Sequence, residues 1–120
     1  RDVYKRQLLE EAFRLQNVEA MNELSIRYLE GRGVERNYEM AEALFNNIIA
    51  LDESLSEKEK APYNLYYQFA ERYEEFAKDD NAALEAYKQG YEIEKKETKR
   101  DNKEIKAKIK ALEAKLNKKK

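Results

Sequence analysis

The sequence predicts an all-α protein, because its composition, its few turn-forming residues and its hydrophobic period all favour helices. The 120 residues include three glycines and one proline, too few to punctuate a many-stranded sheet. Glu, Lys, Ala and Leu dominate the chain, and all four are good helix formers. Apolar residues recur at the 3.6-residue helical period through most of the chain. These observations alone predict one domain at most, folded as a helical bundle or a solenoid.

Catalytic and metal-binding functions are disfavoured by the residue types that the chain lacks. It has no cysteine, which excludes disulfides, a thiolate nucleophile and a cysteine zinc site. It also has no histidine, the commonest general base and metal ligand. Carboxylate pairs such as Glu74-Glu75 and Asp79-Asp80 lack the alternating ligands and central glycine of a calcium loop. We therefore expect no enzyme, no cofactor, no metal and no small-molecule substrate.

Charge is distributed unevenly along a chain whose net charge is −1. Residues 94–120 hold twelve Lys or Arg against five Asp or Glu, whereas residues 1–93 hold twelve against twenty. An acidic body of charge −8 therefore precedes a basic tail of charge +7. No apolar run approaches the roughly 20 residues of a membrane-spanning helix, so we expect a soluble protein. The sequence does not identify its compartment, which is cytoplasmic or periplasmic.

The first residues of the chain differ in character from the rest. The opening heptapeptide, RDVYKRQ, resembles the read-through translation of a transposon-end adapter used in DNA library preparation. We therefore expect residues 1–7 to be a non-native remnant. Residues 8–17 carry apolar positions at helical spacing, and we expect them to form the second helix of a truncated preceding repeat.

A first helix pair is predicted over residues 18–51. Its first helix covers 18–30 and ends at a Gly-Arg-Gly turn, since glycine tolerates the positive φ of a helix end. Asn37 is a plausible N-cap for the second helix, 38–51. The turn lacks the preceding strand and the Lys-Ser/Thr of a phosphate loop, so we interpret it as a helix–helix connection.

The next helix follows a polar linker, residues 52–60. Either a capping box of Ser56 and Glu59 or a first-turn proline, Pro62, marks its start, and the sequence does not choose between them. Apolar residues between 62 and 77 cover roughly 200° of its circumference, about twice what packing on one neighbour requires. We therefore expect an inner helix that packs on two sides.

Two more helical segments follow an acidic turn at residues 79–81. The last of them could be capped by Asp101 and Glu104. The break at 98–102 is weak, so the sequence leaves open whether 82–118 forms one helix or two. The apolar stripe of the last segment consists of Ile105, Ile109, Leu112 and Leu116.

Both helix pairs carry residues of known helical repeats. In the first pair these are Ala20, Leu24, Tyr28, Gly31-Arg32-Gly33-Val34, Asn37-Tyr38-Glu39, Ala41 and Phe45. In the second they are Tyr66, Phe69, Ala70, Tyr73, Ala83, Tyr87 and Gly90. The pair at 18–51 resembles a Sel1-like repeat, with Ser25 where that family usually has glycine. The pair at 61–93 is similar to a tetratricopeptide repeat whose inter-helix turn is about one residue longer than usual.

This resemblance implies antiparallel helix-pair repeats, stacked as a short right-handed α-solenoid that binds another protein. The concave face of such a stack holds a peptide or a helix of the partner. Two glutamates fall on this face, where family members that clamp a peptide carboxylate have lysine, arginine and asparagine. We therefore expect a basic or amphipathic guest. The residues expected to line this groove are Asn22, Ile26, Asn64, Tyr67, Glu71 and Glu74.

The basic region, residues 94–120, allows several interpretations. We favour a capping helix that covers the open end of the stack, because solenoid ends need a polar cover. The chain would then be the structural C-terminal end-piece of a longer solenoid. Attachment to nucleic acid or to an anionic membrane is disfavoured, since Glu97, Glu104 and Glu113 interrupt the basic residues. Dimerisation through the apolar stripe of this helix is a further possibility.

Overall fold

The computed structural model describes residues 18–118, and every regular element among them is a helix or a helical turn. The all-α prediction is therefore confirmed for this part of the chain. The expected remnant at 1–7 and the expected helix at 8–17 lie outside the described residues. The described part of the chain divides into two compact units, the first ending at Leu55 and the second beginning at Ser56. None of the helices between 18 and 118 is long and apolar enough to cross a membrane.

Among residues 18–55 of the first unit, two helices pack together, α1 (Val18–Glu30) and α2 (Tyr38–Leu51). Gly31 has a φ of 71°, and its N–H donates to a carbonyl of the last turn of α1 at 2.7 Å, which ends that helix. Asn37 caps α2, because its side-chain oxygen accepts from the Met40 N–H at 3.1 Å. Both end signals predicted from the sequence are confirmed.

Within the described residues of the first unit, the core is apolar apart from one serine. Ser25 is 0 % exposed, and its hydroxyl donates to the Ala41 carbonyl of α2 at 3.0 Å. This hydrogen bond satisfies the buried hydroxyl, which would otherwise destabilise the core. The apolar core of this unit consists of Met21, Leu24, Tyr28, Leu29, Val34, Ala41, Leu44, Phe45 and Ile49.

Both signals that the sequence offered for the start of the next helix occur in the structure, but only the proline starts the helix. The Ser56 hydroxyl accepts from the Glu59 N–H at 3.2 Å, and the Glu59 carboxylate accepts from the Ser56 N–H at 3.0 Å. These are the reciprocal bonds of a capping box, but they close a turn rather than a helix. The helix itself, α3 (Pro62–Arg72), begins at Pro62 without a side-chain cap. Proline suits this position because an N–H would have no partner there.

The helix predicted over 62–77 changes its geometry after Arg72. There α3 ends and a π-helical turn, Tyr73–Ala77, follows, called the π turn below. The Lys78 N–H closes it by donating to the carbonyl of Tyr73, five residues earlier. Six residues of this segment are buried, and within the second unit it packs against the helix that follows, whereas packing on a second side stays a prediction. Its buried residues are Tyr63, Tyr67, Phe69, Ala70, Tyr73 and Ala77.

Two further helices complete the second unit, α4 (Asp80–Thr98) and α5 (Lys103–Lys118), which pack against each other. Asp79 caps α4, since its carboxylate accepts from the Ala82 N–H at 3.0 Å. Lys99 has a φ of 64° and ends α4, so residues 82–118 form two helices and not one.

The predicted capping box of Asp101 and Glu104 is wrong. Asn102 caps α5 instead, because its side-chain oxygen accepts from the Ile105 N–H at 3.1 Å. Asp101 accepts a hydrogen bond from the Tyr91 hydroxyl of α4 and is therefore engaged elsewhere. The basic region at 94–120, expected as a capping helix or a tail, thus begins within α4 and continues as α5.

Candidate partner-binding groove

A groove of about 510 Å³ opens on the second unit, where α3, the π turn, α4 and α5 meet. We call it the charged groove. Carboxylates from α3 and the π turn form its acidic wall, lysines from α5 form its basic wall, and α4 contributes to the floor. The lining residues are Glu71, Glu74, Glu75, Tyr87, Lys108, Ala111, Leu112 and Lys115.

The floor of the charged groove is built around Tyr87 of α4, which is 1 % exposed. Burial raises the pKa of its hydroxyl, and a hydrogen bond to the Glu74 carboxylate raises it further. The hydroxyl is therefore a neutral donor across the physiological pH range. Because Leu112 beside it is also buried, the floor offers little free apolar surface.

The acidic wall consists of Glu71, Glu74 and Glu75, all of which are exposed. Next to them Arg72 is half-buried, with its guanidinium 5.4 Å from the centre of the Phe76 ring. Burial lowers the pKa of the Arg72 guanidinium, and the negative charge of Glu75 acts in the opposite direction. Because all three glutamates are exposed, the acidic wall presents three carboxylates to the solvent in the groove.

The basic wall consists of Lys108 and Lys115, which are seven residues apart and so lie on one face of α5. The Lys115 ammonium lies 3.1 Å from the carboxylate of Asp80, whose side chain is only 11 % exposed. The Lys108 ammonium lies 5.7 Å from the centre of the Tyr87 ring, within cation–π range. Contacts with α4 thus hold both lysines beside the groove.

The structure brings together two of the six residues predicted to line a groove, Glu71 and Glu74. Asn64 is half-buried, and its side-chain amide donates to the Lys58 carbonyl at 2.8 Å, which fastens the linker to α3. Tyr67 is 7 % exposed and belongs to the core of the second unit rather than to the charged groove. The two remaining residues, Asn22 and Ile26, are half-buried on α1 of the first unit.

A buried polar cluster joins α3, α4 and the start of α5 in the second unit. Glu94 of α4 is 3 % exposed. One oxygen of its carboxylate accepts from the Tyr67 hydroxyl at 2.6 Å and from the Asn102 amide at 3.0 Å. Burial raises the pKa of the Tyr67 hydroxyl, and the hydrogen bond to Glu94 adds to this effect. Since Asn102 also caps α5, the cluster fixes where that helix starts.

Three residues of the groove and of the buried cluster were not predicted, although the sequence contained signals for them: Lys108, Lys115 and Glu94. Lys108 and Lys115 are one heptad apart beside the apolar stripe of α5, a spacing that places both on one face. The buried stripe of α4 passes through Tyr87 and Gly90, and its next position, four residues later, is Glu94. A glutamate on such a stripe indicates a buried, hydrogen-bonded carboxylate.

No protein-family model, curated protein or solved structure matches this chain. The resemblance to Sel1-like and tetratricopeptide repeats therefore depends on the residues of the two helix pairs alone. The function of the charged groove has to be inferred from its geometry and its charge.

Proposed function

We propose that this protein is a non-catalytic scaffold that binds a basic or amphipathic helix of another protein in the charged groove. Its helix pairs would be Sel1-like and tetratricopeptide-like repeats, stacked as a short right-handed α-solenoid. The observation that supports binding is the charged groove itself, in which an exposed acidic wall lies beside an aromatic and aliphatic floor.

The composition of the groove favours a protein segment over a small molecule. Pockets for small molecules are lined mainly by apolar side chains, whereas five of the eight residues here are charged. Helix-in-groove binding needs room for a few anchor side chains at i, i+3 or i+4 and i+7. A volume of about 510 Å³ provides such room along α5.

The balance of charge and apolar surface determines what kind of binding to expect. The floor residues Tyr87 and Leu112 are already buried, so a partner gains little apolar contact from them. Exposed charges contribute mainly to partner selection and association rate. We therefore expect modest affinity that falls as salt is added.

Reversing the acidic wall is expected to weaken the binding of basic helical peptides by about tenfold or more. The variant is Glu71→Lys with Glu74→Lys, in which two attractive charges become repulsive. Fluorescence anisotropy with labelled basic, neutral and acidic peptides, at low and physiological salt, measures the effect. The matched control is Glu57→Lys with Glu97→Lys, the same charge change at exposed positions outside the groove. If the groove variant binds like the wild type, the acidic wall has no part in the function.

A second candidate function, the structural end-piece, is favoured by the way α5 packs on α4. Ile105 and Leu112 are each 6 % exposed, so α5 is attached through a short apolar seam. The ion pair of Lys115 with Asp80 and that of Lys88 with Glu113, at 3.6 Å, link the same two helices. In this role α5 covers an apolar face and needs no partner.

Deleting residues 99–120 is expected to destabilise the second unit by about 3 kcal/mol or more, because each buried aliphatic side chain contributes about 1.5–3 kcal/mol. Thermal melting followed by circular dichroism should show the loss, and an apolar dye should bind the exposed face of α4. Deleting only residues 117–120 is the control, since it leaves the apolar seam intact. A melting temperature that does not change in the longer deletion would rule out the structural role.

A further inference from the structure

The charged groove has two walls of opposite sign, and they do not neutralise each other. The acidic wall belongs to α3 and the π turn, and the basic wall belongs to α5. Among residues 18–118, no ion pair of 4 Å or less joins the two walls. Charge of each sign is therefore available to a ligand that lies between them.

The basic wall is held in position yet keeps capacity to bind. Lys115 is anchored by Asp80, and Lys108 by the ring of Tyr87. An ammonium group has three donors, so one contact leaves others for an incoming carboxylate. The Lys115 side chain is still 59 % exposed. Because both lysines are already positioned, they can bind a carboxylate of the partner with little further loss of side-chain entropy.

The spacing of the charges matches the repeat of a helix. Lys108 and Lys115 are two turns apart, about 10.5 Å along α5. A partner helix lying along the groove can therefore place acidic residues at i and i+7 against them. On the opposite edge of the partner helix, two cationic residues one turn apart can face Glu71 and Glu75, which are separated by four positions in this chain.

We propose that the partner is an amphipathic helix with one cationic edge and one anionic edge, separated by a narrow apolar ridge. This inference rests on the proposed function and specifies its partner. The cationic edge lies against the acidic wall and the anionic edge against the basic wall. Because turning a helix end to end exchanges its two edges, the same charge pattern also fixes the direction in which the partner lies.

Three helical peptides with the same apolar ridge test this partner chemistry. One has a cationic and an anionic edge, one has two cationic edges, and one has two anionic edges. We expect the two-signed peptide to bind the full chain about tenfold more tightly than the peptide with two cationic edges, because the latter is repelled by Lys108 and Lys115. General selectivity for basic partners predicts the opposite order. Binding is measured by anisotropy at low salt.

Reversal of the basic wall provides the decisive comparison. In Lys108→Glu with Lys115→Glu both walls are acidic, and the peptide with two cationic edges should become the tightest ligand. The control, Lys103→Glu with Lys110→Glu, makes the same change on the same helix at the same spacing, at exposed positions outside the groove. It should keep the wild-type order. Circular dichroism melts verify that both variants are folded.

The possible outcomes separate the two proposals. If the peptide with two cationic edges binds the wild type most tightly, or if the wild-type order persists in Lys108→Glu with Lys115→Glu, the two-edged partner is rejected while the groove function stands. If no peptide binds the wild type, the groove function itself is rejected, and the two-edged partner with it.

Discussion

Replacing Glu94 with alanine is expected to lower the free energy of unfolding of the second unit by about 3 kcal/mol. The substitution removes the acceptor of two buried hydrogen bonds, from Tyr67 and from Asn102. A buried donor left without a partner costs about 1–3 kcal/mol, and two are created here. Helix propensity favours alanine over glutamate only slightly, so it does not offset this loss. Urea unfolding followed by circular dichroism measures the change.

Three companion variants make this test specific to the buried cluster. Glu97→Ala, at an exposed position of the same helix, should change stability by no more than about 0.5 kcal/mol. Glu94→Gln keeps an acceptor oxygen and should cost less than Glu94→Ala. Tyr67→Phe removes one of the two hydrogen bonds and should cost about 1 kcal/mol. Equal stability of Glu94→Ala and Glu97→Ala would contradict a structural role for the cluster.

Gly90→Ala is expected to destabilise the second unit by about 2 kcal/mol, although the same change normally stabilises a helix by about 1 kcal/mol. A Cβ atom at this position would lie 2.6 Å from Cε1 of Tyr67 and 3.0 Å from the carbonyl oxygen of Tyr63. The Tyr67 ring cannot easily move away, because it is buried and its hydroxyl is bound to Glu94. The cost of overpacking therefore exceeds the gain in propensity.

A double-mutant cycle identifies the cause of this loss. In a Tyr67→Ala background the obstructing ring is absent, so Gly90→Ala should become much less destabilising. The measurement is again urea unfolding, applied to the wild type, both single variants and the double variant. If Gly90→Ala raises the stability of the wild type, then the close approach of α3 and α4 at this point is not needed for folding.

Much of the fold follows from local signals that the sequence displays directly. Asn37 and the glycine turn before it set the boundaries of the first helix pair, because capping and positive φ depend on a few neighbouring residues. The π turn was not predicted, since a surplus residue between two helices can be absorbed equally well in a loop. The cap of α5 was assigned to Asp101, one residue too early, because the Tyr91 hydroxyl that binds Asp101 comes from another helix.

The candidate site was harder to predict, because it depends on which faces of the helices pack against each other. Glu71 and Glu74 were expected on the concave face of a repeat stack, and in the structure both line the charged groove. Lys108 and Lys115 were not expected there, since their spacing beside the apolar stripe of α5 places them on one face but does not identify the elements that this face meets. Tyr67 shows the same difficulty: when apolar residues cover about 200° of a helix, periodicity alone does not identify which of them are buried.

The π turn, finally, keeps two stretches of one helical segment in phase although the sequence between them carries a surplus residue. A turn closed by an i→i+5 hydrogen bond takes up about one residue more than an α-helical turn, so the extra residue is absorbed without rotating the chain on either side. The same residue inserted into an unbroken α-helix would rotate everything after it by about 100°. Tyr67 before the turn and Ala77 at its end can therefore both be buried. The surplus residue adds to the sequence at this point but leaves the buried face of the segment continuous.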